Sequence, residues 1–155
     1  LDAGYGQELA LALAARGSKL PLVSLETVAL QMGTLIPSDP ARATEMLATT
    51  LDQLESGAAR KASARLAETW ALGRLDELEQ YERWCECVTG AEDRAFLRRV
   101  NDERNLGLAE RIDTLHGAGQ RVFAAVGALH MTGPQALPAL MAQRGYAVER
   151  IVFTR

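Results

Sequence analysis

The sequence predicts an α/β fold in which a small, at least partly parallel sheet is flanked by helices and carries a large all-helical insertion. Short apolar stretches at 20–25, 122–126 and 148–153 are typical of strands. The last two flank a helical pattern over 132–144, and a strand, a helix and a strand in that order indicate a βαβ unit with parallel strands. The helical insertion is predicted over about 40–116.

The elements before the insertion alternate between helix and strand. Residues 10–16 are predicted to end a first helix, and the strand at 20–25 has a proline near its start, where the missing N–H is tolerated. A helical pattern then covers 27–35. Asp39 is an N-cap candidate for the next helix, because Pro40 occupies the first helical position.

The insertion is predicted to contain four helices whose ends are marked by glycines. These helices cover 44–56, 58–72, 74–88 and 92–116. The third contains both cysteines of the chain, Cys85 and Cys87. Residues two apart on a helix point in very different directions, so no bridge between the two is expected. A buried structural Cys85 is the favoured interpretation, and a redox or metal role is the alternative.

Three strands are few for so much helix, and the outer strands would have unpaired edges. We therefore expect the sheet to be completed by residues that precede Leu1 or by a second copy of the chain, as in a homodimer. The length of 155 residues otherwise fits a single domain, 1–155.

The composition argues against two classes of partner. The net charge is −3 and lysines and arginines are not clustered, so neither nucleic acid nor an anionic membrane surface is expected as a partner. No apolar run approaches the roughly 18 residues that a membrane span needs, and 1–15 lacks the features of a signal peptide. The cellular location is left open.

Arg104 lies in the middle of the apolar stripe of the helix at 92–116. A buried guanidinium is costly unless an acidic group meets it, so a carboxylate partner is expected inside the fold. Glu26 is the candidate, since it directly follows a predicted strand. Asn105 is expected to hydrogen-bond a loop nearby. The alternative is that Arg104 extends its charged end into water.

His130 is predicted to lie on the loop between the strand at 122–126 and a helix that begins at about Thr132 with a capping box. Ligands of open α/β sheets bind at the carboxyl ends of strands, which favours a functional histidine here. A neutral imidazole in this place would be a metal ligand or a general base. The alternative is a loop histidine bonded to neighbouring backbone. The sequence shows no complete catalytic constellation.

Several short motifs occur in an order that resembles one known family. They are Leu22-Val-Ser-Leu-Glu-Thr27, Gln31, Trp70, Arg104-Asn105, Val126-Gly-Ala-Leu-His130, Gly133-Pro134 and Arg144-Gly-Tyr-Ala-Val148. Together they resemble the TraB/PrgY/GumN family over nearly the whole chain. That resemblance implies a relation to the Tiki proteases and to the erythromycin-esterase and ChaN-like folds, with a central sheet flanked by helices. It also makes a periplasmic or exported location an expectation.

The resemblance implies a site that contains two Gly-x-x-His motifs, a Glu and an Arg, in a metal-dependent hydrolase of the peptidase type. Here Gly127 and His130 match the second motif, Glu26 the acidic position, and Arg104 and Asn105 the Arg-Asn pair. His130, Glu26 and Arg104 are the catalytic candidates, Asn105 and Gly127 are the binding candidates, and His130 and Glu26 are the candidate ligands of a divalent metal.

The first Gly-x-x-His motif is absent and would precede Leu1, so we expect this chain to be the C-terminal half of a larger domain and inactive alone. Two alternatives stay open at this point. One is a module that binds a small peptide or another small molecule without turnover, or haem with His130 as an axial ligand. The other is a structural half-domain that dimerises.

Overall fold

The computed structural model describes residues 6–152, and in that range it contains nine α-helices, one π-helical turn and one 3-10 turn. The α-helices are α1 (Gln7–Gly17), α2 (Val28–Leu35), α3 (Pro40–Glu55), α4 (Ala58–Ala71), α5 (Leu75–Glu79), α6 (Tyr81–Trp84), α7 (Ala91–Arg98), α8 (Arg104–Gly117) and α9 (Leu137–Gln143). The π turn covers Arg99–Glu103 and the 3-10 turn covers Ala128–Met131.

The predicted α/β fold with a parallel sheet is wrong, because residues 6–152 contain no strand. The segments 20–25 and 122–126 do not pair with each other or with 148–152, and the last residue of the third predicted strand lies outside the described residues. Phe123, within the predicted strand at 122–126, is 81% exposed. Apolar, β-branched composition favours an extended chain, but a strand exists only when a second segment completes its hydrogen bonds. The dimer expected through strand edges depended on this sheet and has no structural support.

The helical predictions on either side of 36–39 are confirmed. Thr27 is the N-cap of α2, and its hydroxyl accepts a hydrogen bond of 3.1 Å from the amide of Leu30. Asp39 caps α3, where its carboxylate accepts from the amide of Ala41 at 3.3 Å, with Pro40 at the first helical position. α3 and α4 then pack against each other.

The predicted helix over 74–88 is interrupted. It forms α5, then α6, and then a turn in which Cys85 and Cys87 are joined by a disulfide. The expectation that these cysteines do not bridge is therefore wrong. It assumed a continuous helix, whereas the backbone of Cys85 is extended, with φ −77° and ψ 114°.

The predicted helix at 92–116 is present as α7, the π turn and α8 in continuous order. A π turn holds one residue more than an α-helical turn and often occurs at functional sites. It immediately precedes Arg104 and Asn105 and therefore sets the direction in which α8 presents them. Farther along, α8 packs on α9 through the buried core, which consists of Leu108, Ala109, Leu137 and Leu140.

The helix expected to begin near Thr132 begins instead at Leu137, so the predicted capping box is wrong. The Thr132 hydroxyl donates to the carbonyl of Leu129 at 2.9 Å and so closes the 3-10 turn. His130 lies within that turn, which packs against both α5 and α9.

Candidate functional site

Glu26 and Arg104 form the ion pair that the apolar stripe of the helix predicts. Arg104 donates from Nε to Glu26 Oε1 at 2.8 Å and from Nη2 to Oε2 at 2.5 Å. The arginine and glutamate side chains are only 14% and 11% exposed. Such a two-bond arrangement is the strongest form of arginine–carboxylate contact. The pair joins the segment before α2 to the start of α8.

Each partner of this pair stabilises the charged form of the other. The hydrogen bonds from Arg104 are the main reason that the pKa of Glu26 lies below its ordinary value of 4.5, against the opposing effect of burial. The hydrogen bond to Glu26 likewise raises the pKa of Arg104. The guanidinium is further fixed by a 3.1 Å hydrogen bond from Nη1 to the carbonyl of Val100, in the π turn. Contacts with Glu26, which precedes α2, and with Val100 in the π turn therefore fix the position of the Arg104 guanidinium.

Asn105 connects α8 to the segment around His130. Its side chain is fully buried. The amide nitrogen Nδ2 donates to the carbonyl of His130 at 3.1 Å and to the carbonyl of Gln135 at 2.8 Å, while Oδ1 lies 2.7 Å from His130 Nδ1. The Asn105 side chain therefore attaches two segments to the first turn of α8: the 3-10 turn that contains His130, and the residues just before α9.

These contacts determine the tautomer of His130. Because Asn105 Nδ2 donates to two carbonyls, Oδ1 is the acceptor toward the ring, and His130 Nδ1 must carry the hydrogen. In the neutral imidazole the lone pair is then on Nε2, which has no hydrogen-bond partner among the described residues.

The surroundings of His130 favour the uncharged ring. The side chain is buried, with 7% of the residue surface exposed. Burial is the main cause that lowers the pKa of His130 below 6.5, the positive charge of Arg104 lowers it further, and the negative charge of Glu26 acts in the opposite direction. The neutral form of His130, with the lone pair on Nε2, therefore predominates at pH 7.

Glu26, Arg104, Gly127 and His130 all line one cavity of about 840 Å³. Most of its remaining wall comes from α1 and from the extended segments at 20–25 and 120–126. A second cavity, of about 320 Å³, lies against the same ion pair and is lined also by Arg99 and Thr34. The polar cluster thus lies at the boundary of a large and mainly apolar space, as in many ligand sites.

The structure does not give Gly127 a special backbone role. Its φ is −59°, which any residue adopts, and a Cβ added there would lie 3.6 Å from His130 Cδ2, an ordinary contact. Its carbonyl accepts a 3.0 Å hydrogen bond from the amide of His130 and so starts the 3-10 turn. A binding function of Gly127 stays a prediction.

The donors in this cluster do not fit a catalytic metal by themselves. Both oxygens of Glu26 already accept hydrogen bonds from Arg104, and even with their remaining lone pairs the cluster offers only two candidate ligands, Glu26 and His130 Nε2. Catalytic metals are normally held by three protein ligands. Within residues 6–152, no group of three His, Cys, Asp or Glu side chains is arranged to hold a metal ion.

Two contributions to the site were not found from the sequence. The carbonyl of Gln135 anchors Asn105, and the carbonyl of Val100 anchors Arg104. Backbone acceptors carry no signal in residue type, so no pattern indicates them. The π turn likewise has no signature here, because its residues continue the helical pattern on both sides.

Comparison of the chain with known families confirms the resemblance that the ordered motifs predict. The family model described as the TraB/PrgY/gumN family matches residues 1–150. The chain therefore belongs to the TraB/PrgY/gumN family. Comparison with curated proteins and with solved structures gave no match. Among the helices of residues 6–152, none has both the length and the apolar character needed to cross a membrane.

Proposed function

We propose that the protein acts as a hydrolase of ester or amide bonds, in which His130 activates water and Arg104 stabilises the negative charge that develops on the substrate. One observation carries the proposal: the 2.7 Å hydrogen bond between His130 Nδ1 and Asn105 Oδ1 beside the large cavity. It holds the ring in the tautomer whose Nε2 is a base.

His130 has the properties that general-base catalysis requires. The ring is neutral at pH 7 because its pKa is lowered, and Asn105 fixes its orientation. Nε2 takes a proton from water as the water oxygen bonds to the carbonyl carbon of the substrate. The same Nε2–H then donates that proton to the leaving nitrogen or oxygen as the scissile bond breaks.

Arg104 is suited to stabilise the oxyanion formed in this step. A guanidinium carries five N–H groups, and the hydrogen bonds to Glu26 and Val100 use three of them. One N–H on each terminal nitrogen is left for a ligand in the adjoining cavities. Since Glu26 and Val100 already fix the guanidinium, little reorganisation is needed when charge develops. Glu26 acts as a positioning residue in this scheme.

The test is cleavage of short apolar peptides with free and blocked ends, followed by mass spectrometry at pH 7.5, with and without added Zn²⁺ or Mn²⁺. His130→Gln is compared with wild type, and His116→Gln is the matched control because His116 is exposed, lies at the other end of α8 from Arg104 and lines neither cavity. The expected inactivity of the chain alone rested on the missing first Gly-x-x-His motif, whereas the base and the oxyanion-stabilising group of this scheme both lie within the chain. We therefore expect cleavage by wild type and by His116→Gln, and a rate about 100-fold or more lower for His130→Gln. Equal rates in all three, or no cleavage by wild type under either metal condition, would contradict the proposal.

The size and apolar lining of the 840 Å³ cavity favour a second candidate, a module that binds a ligand without turnover. It predicts that a peptide from the same set binds saturably and raises the melting temperature, but is recovered intact. Arg104→Met should then weaken binding, while His130→Gln should leave the peptide equally intact. The same peptide set therefore separates the two functions.

A further inference from the structure

The Cys85–Cys87 disulfide lies in the turn after α6, outside the cluster around His130. We propose that it is a thiol–disulfide exchange site for a low-molecular-weight thiol, and that its reduction allows α6 to continue through residue 88. The proposal is independent of the hydrolase function.

The disulfide and a continuous helix exclude each other. On an α-helix, side chains two residues apart diverge by about 200°, so their sulfurs cannot meet. The oxidised chain accordingly leaves the helix at Cys85, whose backbone is extended. Breaking the sulfur–sulfur bond removes the covalent reason for this turn.

The sequence favours the helix once the bond is broken. Leu75, Leu78, Tyr81 and Cys85 recur at helical spacing, and the amide of Cys85 already donates to the carbonyl of Tyr81 at 2.9 Å. In the described structure the amides of Glu86 and Cys87 make no backbone hydrogen bond. A continued α6 would pair them with the carbonyls four residues earlier.

A helix that continues from α6 would end before α7. The amides of Thr89 and Gly90 both donate to the carboxylate of Asp93, at 2.8 and 2.9 Å, and so begin α7. A helix that continues from α6 therefore stops at Val88. A cross-link over one intervening residue closes too short a loop to remove much entropy from the unfolded chain, so its main effect is on this local turn.

The two cysteine sulfurs differ in solvent exposure, and this difference determines which sulfur an incoming thiolate attacks. Cys85 is buried, whereas Cys87 is half-buried. The Tyr81 hydroxyl lies 3.4 Å from Cys85 Sγ and 3.3 Å from Cys87 Sγ. Disulfide sulfurs carry no hydrogen, so this hydroxyl is the donor, and it also stabilises a thiolate that forms on either atom.

The reaction balances with two thiols of the reductant. A first thiolate attacks Cys87 Sγ and forms a mixed disulfide there, while the Cys85–Cys87 bond breaks and its electron pair leaves on Cys85 Sγ beside Tyr81. A second thiolate attacks the reductant sulfur of the mixed disulfide and releases Cys87. The products are two cysteine thiols, after proton uptake, and the disulfide of the small thiol.

Amide hydrogen exchange by NMR, with glutathione as the thiol, tests the structural consequence. On reduction, exchange at Glu86 and Cys87 should become about tenfold slower or more, while exchange at Ala109 in the core should not change. The variant Cys85→Ser/Cys87→Ser should show the slow exchange without any reductant. Unchanged exchange at Glu86 and Cys87 in the reduced protein would overturn the proposal.

The exchange chemistry is tested by the rate at which glutathione exposes both cysteines to an alkylating reagent without denaturant. We expect Tyr81→Phe to react severalfold more slowly than wild type, and Tyr146→Phe, which loses a hydroxyl bonded to Asp113 instead, to react as wild type does. A disulfide that glutathione reduces only after denaturation would refute the exchange site. Equal rates for Tyr81→Phe and wild type would refute the role of the hydroxyl.

Discussion

Among the arginine–glutamate pairs of residues 6–152, Arg104–Glu26 and Arg65–Glu77 differ strongly in burial. Arg104 and Glu26 share two hydrogen bonds and are 14% and 11% exposed, whereas Arg65 and Glu77 share one of 2.9 Å and are 48% and 25% exposed. The first pair joins segments 78 residues apart, and the second joins neighbouring helices 12 residues apart. Burial makes the first pair costly to break and gives it a fixed geometry, while water and salt weaken the second.

Replacing Asn105 should cause the largest loss of stability, because its side chain bonds both the turn that contains His130 and the carbonyl of Gln135. Asn105→Ala removes the partner of the buried His130 carbonyl, of the part-buried Gln135 carbonyl and of the His130 ring, at a cost of about 1–3 kcal/mol for each buried group. We expect the free energy of unfolding to fall by about 3 kcal/mol or more in urea denaturation. A loss below about 1 kcal/mol would mean that water replaces these bonds and that Asn105 does not hold the site together.

Glu26→Gln tests the buried pair directly. The variant keeps the size of the side chain but leaves the Arg104 guanidinium without a countercharge, so we expect a loss of about 2–4 kcal/mol in the free energy of unfolding. The double variant Glu26→Gln/Arg104→Gln should lose less than the sum of the two single variants, because no unpaired charge remains. Additive losses would show that the two side chains do not depend on each other.

The buried region could be predicted from the sequence only in part, and the reason is physical. The Arg104–Glu26 contact followed from the cost of placing a guanidinium on an apolar helix face, a cost that any fold must meet. Glu26 was singled out because it follows a predicted strand; that strand does not exist among residues 6–152, yet the pair formed. Strand pairing depends on segments far apart in sequence, and composition at 20–25 or 122–126 does not specify a partner.

The cysteines show a second limit of sequence patterns. Helical spacing around Cys85 favours a helix to residue 88, but a covalent bond to Cys87 outweighs a few backbone hydrogen bonds and ends the helix early. Sequence patterns describe local preference, and the state of a disulfide is not encoded in them. The π turn before Arg104 is similar, since the sequence pattern is helical throughout and does not mark the extra residue.

Protonation of His130 should make stability depend on pH, with an effect smaller than that of replacing Asn105 or Glu26. His130 has a pKa below 6.5 in the folded protein, so the unfolded chain binds a proton more readily than the folded one. Stability from this group is complete above pH 6.5 and is lost as the pH falls from there through the lowered pKa. Melting temperatures between pH 7.5 and 5 should therefore fall in wild type.

The variant His130→Gln should flatten this pH dependence above about pH 5. The effect of Glu26 is separable, because its pKa is already below 4.5 and its contribution is lost only at lower pH. An unchanged slope in His130→Gln would assign the loss between pH 7.5 and 5 to other groups.

Glu77→Gln should have the smallest effect and completes the comparison of the two pairs. Glu77 contacts Arg65 at 2.9 Å and Arg74 at 3.6 Å, but these arginines are about half exposed. Exposed pairs of this kind contribute about 0–1 kcal/mol, and salt screens them further. We expect Glu77→Gln to lower the free energy of unfolding by less than about 1 kcal/mol, and by less still in 1 M NaCl. A loss as large as that of Glu26→Gln would show that burial does not explain the difference between the pairs.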